Sequence, residues 1–193
     1  MSDTGTGRAR RRQTVLSLTL CALFAALTAV LSWAAIPMPW GVPYNLALIA
    51  VYLAGALLGA KRGLAAMLAY VLLGALGAPV FSGFGGGLAR LLGMTGGYIA
   101  GYLPTALAVG LAADRWGRSA KVMMLVMAAA TLLLVYLPGT LWFTVYSRGG
   151  YSFGAALMVC VVPYLAGDAA KIALSGALAG KLYGLLPALR SAR

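Results

Sequence analysis

The sequence predicts an all-α integral membrane protein with six transmembrane helices. Three observations lead there. Hydrophobic residues make up 62% of the 193-residue chain and charged residues only 9%, where a soluble domain carries roughly 25% charged residues. The apolar residues gather in runs long enough to cross a bilayer. The charges fall in short clusters between those runs, as membrane topology is encoded. The formal net charge of +12 is therefore read as orientation in a lipid bilayer, and no nucleic-acid partner is expected.

The elements follow in chain order. Residues 1–13 read as a disordered basic cytoplasmic tail, residues 14–188 as the six-helix membrane domain and residues 189–193 as a second cytoplasmic tail. "VLSLTLCALFAALTAVLSWAAI", residues 15–36, exceeds the ~7–15 residues of a signal-peptide core and suits a retained first span. "PMPWGVP", residues 37–43, is a proline-punctuated turn with an interfacial Trp40. A short second span covers roughly Tyr44 to Ala60, and a third ends near Val80. A glycine-rich loop, residues 81–94, leads into a fourth span from Thr95 to Ala113, and a fifth runs from Val122 to Phe143. Phe153 to Leu186 covers 34 residues; as one straight helix it would measure ~50 Å. Pro163 offers the break, giving a short interfacial or re-entrant helix over 153–162 and a sixth span over 164–186.

The distribution of basic residues orients these spans. With the N-terminus inside, the inner side receives Arg8, Arg10, Arg11, Arg12, Lys61, Arg62, Arg115, Arg118, Lys121, Lys181, Arg190 and Arg193. The outer side receives Arg90 and Arg148, and Lys171 stays in the membrane. Both termini are thus expected in the cytoplasm. Trp142, Tyr146, Tyr151 and Tyr164 fall near the outer boundary, as an aromatic belt would.

The composition excludes much chemistry. The chain has no histidine and three acidic residues, of which Asp3 lies in the tail and Asp114 in an inner loop. Paired-carboxylate catalysis, Ser-His or Cys-His nucleophiles and histidine metal sites cannot be assembled, so neither an enzyme nor a resident cofactor is expected. Cys21 and Cys160 sit in apolar surroundings as packing thiols. "GALAGKL", residues 176–182, lacks the glycine spacing and the Ser/Thr of an ATP-binding loop. Any active transport must draw on a partner or an ion gradient.

Three features carry positive information. "PYLAGDAAKIALSGALAG", residues 163–180, puts Asp168 three residues before Lys171 in an apolar helix. Intramembrane charge is expensive and marks function; the two share a helix face, as a ligand site or a self-neutralising pair. The glycine-rich loop carries Phe81, Phe84 and Arg90, which suits a lid over a binding site. Small residues repeat at four-residue spacing: Gly55/Gly59 and Gly97/Gly101 suit internal packing, while Ala22/Ala26 and Ala25/Ala29 overlap as a broader strip able to dock a partner.

"GAPVFSGFGGGLARLLGMTGGYIAGY", residues 77–102, resembles the G-x-P-V-F … G-G-x-x-x-L-x-G-P-T-G-G-Y-x-x-G-F motif of BioY proteins, and "PYLAGDAAKIALSGALA" is similar to their P-F-x-x-G-D-x-x-K. Met94 replaces the motif proline and Tyr102 its phenylalanine. The resemblance extends from about residue 14 onward. It implies the S-component fold and biotin uptake across the cytoplasmic membrane of a prokaryote. The chain would be the substrate-binding subunit of an energy-coupling factor (ECF) transporter. Its implied partners are a transmembrane coupling subunit and two ATP-binding subunits. On that reading Asp168 and Lys171 meet the ureido ring of biotin, and Asn45 adds an amide contact. Arg90, with Arg148 and Tyr151 behind it, is the candidate cation for the carboxylate, while Phe81, Phe84, Tyr98 and Tyr164 pack on the bicycle and chain. Ala22, Ala25, Ala26 and Ala29 form the docking strip. A self-contained ion-coupled vitamin carrier with Asp168 as its proton site is the alternative.

Overall fold

The first apolar run is helical throughout, and so is the basic segment before it: α1 covers Asp3–Trp33. The computed structural model describes residues 3–185, with side chains from Arg10 onward. Helix over 3–13 replaces the disordered tail expected there. The segment has no proline to break the helix, and Arg8 to Gln13 are good helix formers. The 189–193 tail, with Arg190 and Arg193, lies outside the described residues, as does the side chain of Arg8.

The proline-rich turn folds as a minimal hairpin. β1 (Ala35–Ile36) pairs antiparallel with β2 (Tyr44–Asn45), Ala35 opposite Asn45. The Asn45 side-chain carbonyl then accepts the Ala47 N–H at 3.0 Å, an Asx turn that starts the next helix.

That helix, α2 (Ala47–Leu58), is the centre of the molecule. Eleven of its 12 residues are buried, and it packs on α1 and on three helices introduced below, α3, α5 and α9. At about 1.5 Å per residue it spans only about 18 Å. Gly59 ends it with φ 82°, a conformation suited to glycine. α3 (Ala60–Ala75) continues from there, with the Asp114 carboxylate accepting the Ala60 N–H at 3.1 Å. It stops short of Val80 because Gly77 turns the chain at φ 102°.

The glycine-rich loop contains a 3₁₀ turn at Ser82–Phe84 and a single helical turn, α4 (Leu88–Leu91). α5 (Gly96–Trp116) follows. α6 (Ala120–Ala130) runs through a π-helical segment, Thr131–Tyr136, into α7 (Leu137–Tyr146). Pro138 explains the wide turn. It has no N–H for the Leu134 carbonyl and its ring crowds that group, so the ladder reregisters just before it. Pro163 acts as the sequence suggests: α8 (Phe153–Cys160) ends in a 3₁₀ turn at Val162–Tyr164, and α9 (Leu165–Leu185) starts afresh.

Among the described residues four helical stretches are long and apolar enough to cross a membrane: Arg10–Trp33, Gly96–Trp116, Ala120–Tyr146 and Phe153–Leu185. α2 and α3 fall on the second and third expected spans but are shorter. The outer surface is apolar, with Leu18, Leu72, Leu125, Leu133, Val145 and Met158 exposed, an arrangement suited to lipid contact and adverse in water. The paired glycines pack internally, as expected: a Cβ on Gly55 would strike the Ala106 carbonyl and one on Gly97 the Trp142 side chain.

Candidate functional site

Restarting the helix at Leu165 puts Asp168 in its first turn, where the helix dipole favours a carboxylate. Lys171 follows on the same face, its Nζ 2.6 Å from Asp168 Oδ1. Both are buried, at 4% and 5% exposure. Each has a further partner from another element. The Tyr136 hydroxyl, at the end of the π-helical segment, donates to Asp168 Oδ2 at 2.5 Å. Lys171 Nζ donates to the Asn45 main-chain carbonyl at 2.5 Å and lies 3.8 Å from the Tyr44 ring centroid.

A line of small polar groups leads from Asn45 to the glycine-rich loop. Asn45 Nδ2 donates to Ser82 Oγ at 2.7 Å, and Ser82 Oγ and Ser32 Oγ are 3.2 Å apart. The Tyr70 hydroxyl donates to Ser32 Oγ at 3.3 Å. Arg90 Nη2 donates to the Ser82 carbonyl at 2.9 Å, which holds the guanidinium over the loop. On the other wall Tyr164 donates to the Val42 carbonyl and accepts from Trp40 Nε1 at 2.8 Å.

These groups line a concavity of about 670 Å³, open solvent included. Of the residues expected at a site, Asp168, Lys171, Asn45, Arg90, Phe81, Tyr98 and Tyr164 all line it. Two do not. Phe84 is 65% exposed and packs on Trp33, ring centroids 5.1 Å apart, because positive φ at Gly83 and Phe84 turns it outward while Phe81 turns in. Tyr151 packs on Phe143, centroids 5.3 Å apart. Tyr164, expected in the aromatic belt as well, is buried at the cavity wall.

The alanine strip divides. Ala25 and Ala29 are buried against the bundle, whereas Ala22 and Ala26 are exposed. The two registers are one residue apart and so lie on adjacent helix faces, and only one looks outward. Ala25 and Ala29, expected in the docking strip, are buried in the chain's own packing.

The hydrogen-bond capacity left at the charged pair defines what the cavity can hold. A carboxylate offers about four lone-pair sites; Lys171 and Tyr136 use two. An ammonium has three N–H groups; Asp168 and Asn45 take two. The pair can therefore accept from two further donors and donate once more, the complement of a group with two adjacent N–H and one C=O. Among the described residues no cluster of three or more His, Cys, Asp or Glu is present to hold a metal ion.

The comparisons with known proteins agree with this chemistry. The model of the BioY family matches residues 6–188. The chain belongs to the BioY family. A probable biotin transporter BioY of Pyrococcus horikoshii is 40% identical over 168 residues, covering 86% of this chain and 96% of that protein. The biotin transporter BioY of Rhodobacter capsulatus is 36% identical over 188 residues, covering 92% and 98%. The crystal structure of the S-component for biotin from an ECF-type ABC transporter superposes with a TM-score of 0.81 at 26% identity, covering 90% of this chain and 93% of that one. BioY proteins are transporters and not enzymes, and this chain has the S-component fold, as its motifs imply.

Several groups that line the cavity escape sequence reading. Tyr136, Tyr70, Ser32 and Ser82 line the cavity but are ordinary residues in their local sequence. Tyr102, where the motif has phenylalanine, also lines it, so that departure adds a hydroxyl to the site. Trp40, read as interfacial, is tied to Tyr164 across the bundle.

Proposed function

We propose that the cavity binds biotin, its ureido ring on Asp168 and Lys171 and its carboxylate towards Arg90. We further propose that the chain is the substrate-binding subunit of an ATP-driven ECF-type transporter. One observation carries the reading: a buried, paired carboxylate and ammonium retain two acceptor sites and one donor, which a cyclic urea satisfies. The pair is close to neutral, and its partners reduce the cost of burial. The biotin transporters among the relatives support the substrate, and the S-component neighbour supports the ECF assembly.

On this reading the chain crosses the cytoplasmic membrane of a prokaryote six times, both termini inside and the cavity opening outward. α2 and α3 make the second and third crossings, α2 inside a jacket of other helices. A transmembrane coupling subunit and two ATP-binding subunits complete the transporter, and Ala22 and Ala26 present the docking face. Titrating the purified protein with biotin, and with riboflavin and thiamine as controls, tests the substrate: saturable binding of biotin alone is expected, and no heat or shift with biotin would overturn it. Uptake that survives a protonophore but stops on ATP depletion is expected of the ATP-driven assembly; the reverse would make the chain an ion-coupled carrier.

A further inference from the structure

The space in front of Asp168 does not end at Arg90. Adjoining it is a second, more open concavity of about 600 Å³, open solvent included, that shares Pro43, Ser82 and Arg90 with the first. Its own walls come from the end of α1 and the hairpin, through Trp33, Ala35, Pro37 and Met38. These walls are built and held. Trp33 Nε1 donates to the Pro79 carbonyl at 2.7 Å, and Phe84, facing away from the inner cavity, lies on the Trp33 ring. The β1–β2 pairing fixes Ala35 opposite Asn45, and the Gly41 N–H donates to the Met38 carbonyl at 3.0 Å. The lining contains no acidic residue, and its one cation, Arg90, stands at the neck between the two spaces.

We infer that this outer space is a second subsite, which receives whatever a ligand carries beyond its carboxyl carbon, so that the chain binds biotinyl amides such as biotinyl-lysine as well as free biotin. The inference rests on the biotin reading of the inner cavity. With the ureido ring on Asp168 and Lys171, the ligand's chain runs towards Arg90. A guanidinium has five N–H donors, one of which is used on Ser82, and an amide carbonyl accepts from the others as a carboxylate does, as a neutral and weaker acceptor. The substituent then continues into the outer space. Trp33, Pro37 and Met38 offer an apolar surface to a lysyl stem, whose polar head reaches water.

The test is a titration of the purified full chain with biotin and with biotinyl-lysine, repeated on Ala35→Phe and Met38→Trp. Both positions line only the outer space. Biotinyl-lysine is expected to bind within about tenfold of biotin, the difference between a charged and a neutral acceptor. Each bulky variant is expected to leave biotin within about twofold and to weaken biotinyl-lysine at least tenfold. Retained biotin affinity shows that a variant is folded. Biotin binding with biotinyl-lysine more than a thousandfold weaker would overturn the second subsite, as would equal loss of both ligands in both variants. Failure of biotin itself to bind the unmodified chain would instead overturn the reading of the inner cavity.

Discussion

Replacing Asp168 by asparagine changes one atom's chemistry and removes one charge, and the consequences can be worked separately for folding and for binding. The carboxylate holds Lys171 at 2.6 Å and accepts from Tyr136 at 2.5 Å. The amide has one acceptor oxygen and turns its NH₂ towards a donor at the other side. Stranding a buried ion costs about 3–5 kcal/mol, and the Asn45 carbonyl and Tyr44 ring that Lys171 retains put the expected loss of stability at the lower end. For binding, each hydrogen bond to a charged acceptor contributes about 1.5–3 kcal/mol and a neutral one about 1 kcal/mol. Two charged bonds to the ureido N–H groups become one neutral bond, a loss of about 3 kcal/mol, or a roughly 150-fold higher Kd. Isothermal titration with biotin, beside thermal unfolding in the same detergent, measures both. Asp168→Asn/Lys171→Met removes both charges and is expected to recover stability without recovering affinity. Wild-type affinity in Asp168→Asn, or restored affinity in the double variant, would refute the assignment of the carboxylate to the ligand.

Four further outcomes follow from the geometry. Tyr136→Phe removes one donor to Asp168 while keeping the ring; because that buried bond exists in the unliganded chain, Tm should fall by the worth of one charge-assisted bond, about 1.5–3 kcal/mol, with a smaller change in biotin affinity. Arg90→Gln should weaken free biotin more than its methyl ester, measured by competition titration, because only the free acid presents a charge at the neck. Ala26→Trp, on an exposed face, should leave biotin binding intact and abolish uptake in cells that contain the partner subunits. Ala25→Trp, buried in the bundle, should instead lower Tm and the yield of folded protein.

What the sequence discloses and what it hides have physical causes. Asp168 and Lys171 are legible because charge in an apolar helix is costly and needs a reason. Asn45 and Arg90 stand out similarly, as isolated polar groups at span ends or in glycine-rich surroundings. Tyr136 is not legible: an aromatic in an apolar run looks like any lipid- or core-facing ring, and its aim at Asp168 depends on the extra residue in the π-helical turn before Pro138. Phe81 and Phe84 are indistinguishable as residue types three positions apart. Only the positive φ angles at Gly83 and Phe84 decide that one faces the cavity and the other Trp33. Four-residue spacing reveals that alanines form strips on α1, but which strip faces the bundle is set by tertiary packing. The length of α2 has a local cause instead: the Asx turn at Asn45 and the Gly59 turn trim the short span expected over Tyr44 to Ala60.

A helix in a bundle usually has an inside and an outside, and its sequence can drift on the outside. α2 has no outside. It meets protein on nearly every side, begins beside the carbonyl that holds Lys171 and ends where Asp114 anchors the start of α3. Lipid composition and bilayer thickness act on it only through its neighbours. Its twelve residues are answerable to the shape of the surrounding helices and to the cavity above, which makes it the segment of this fold with the least freedom to change alone.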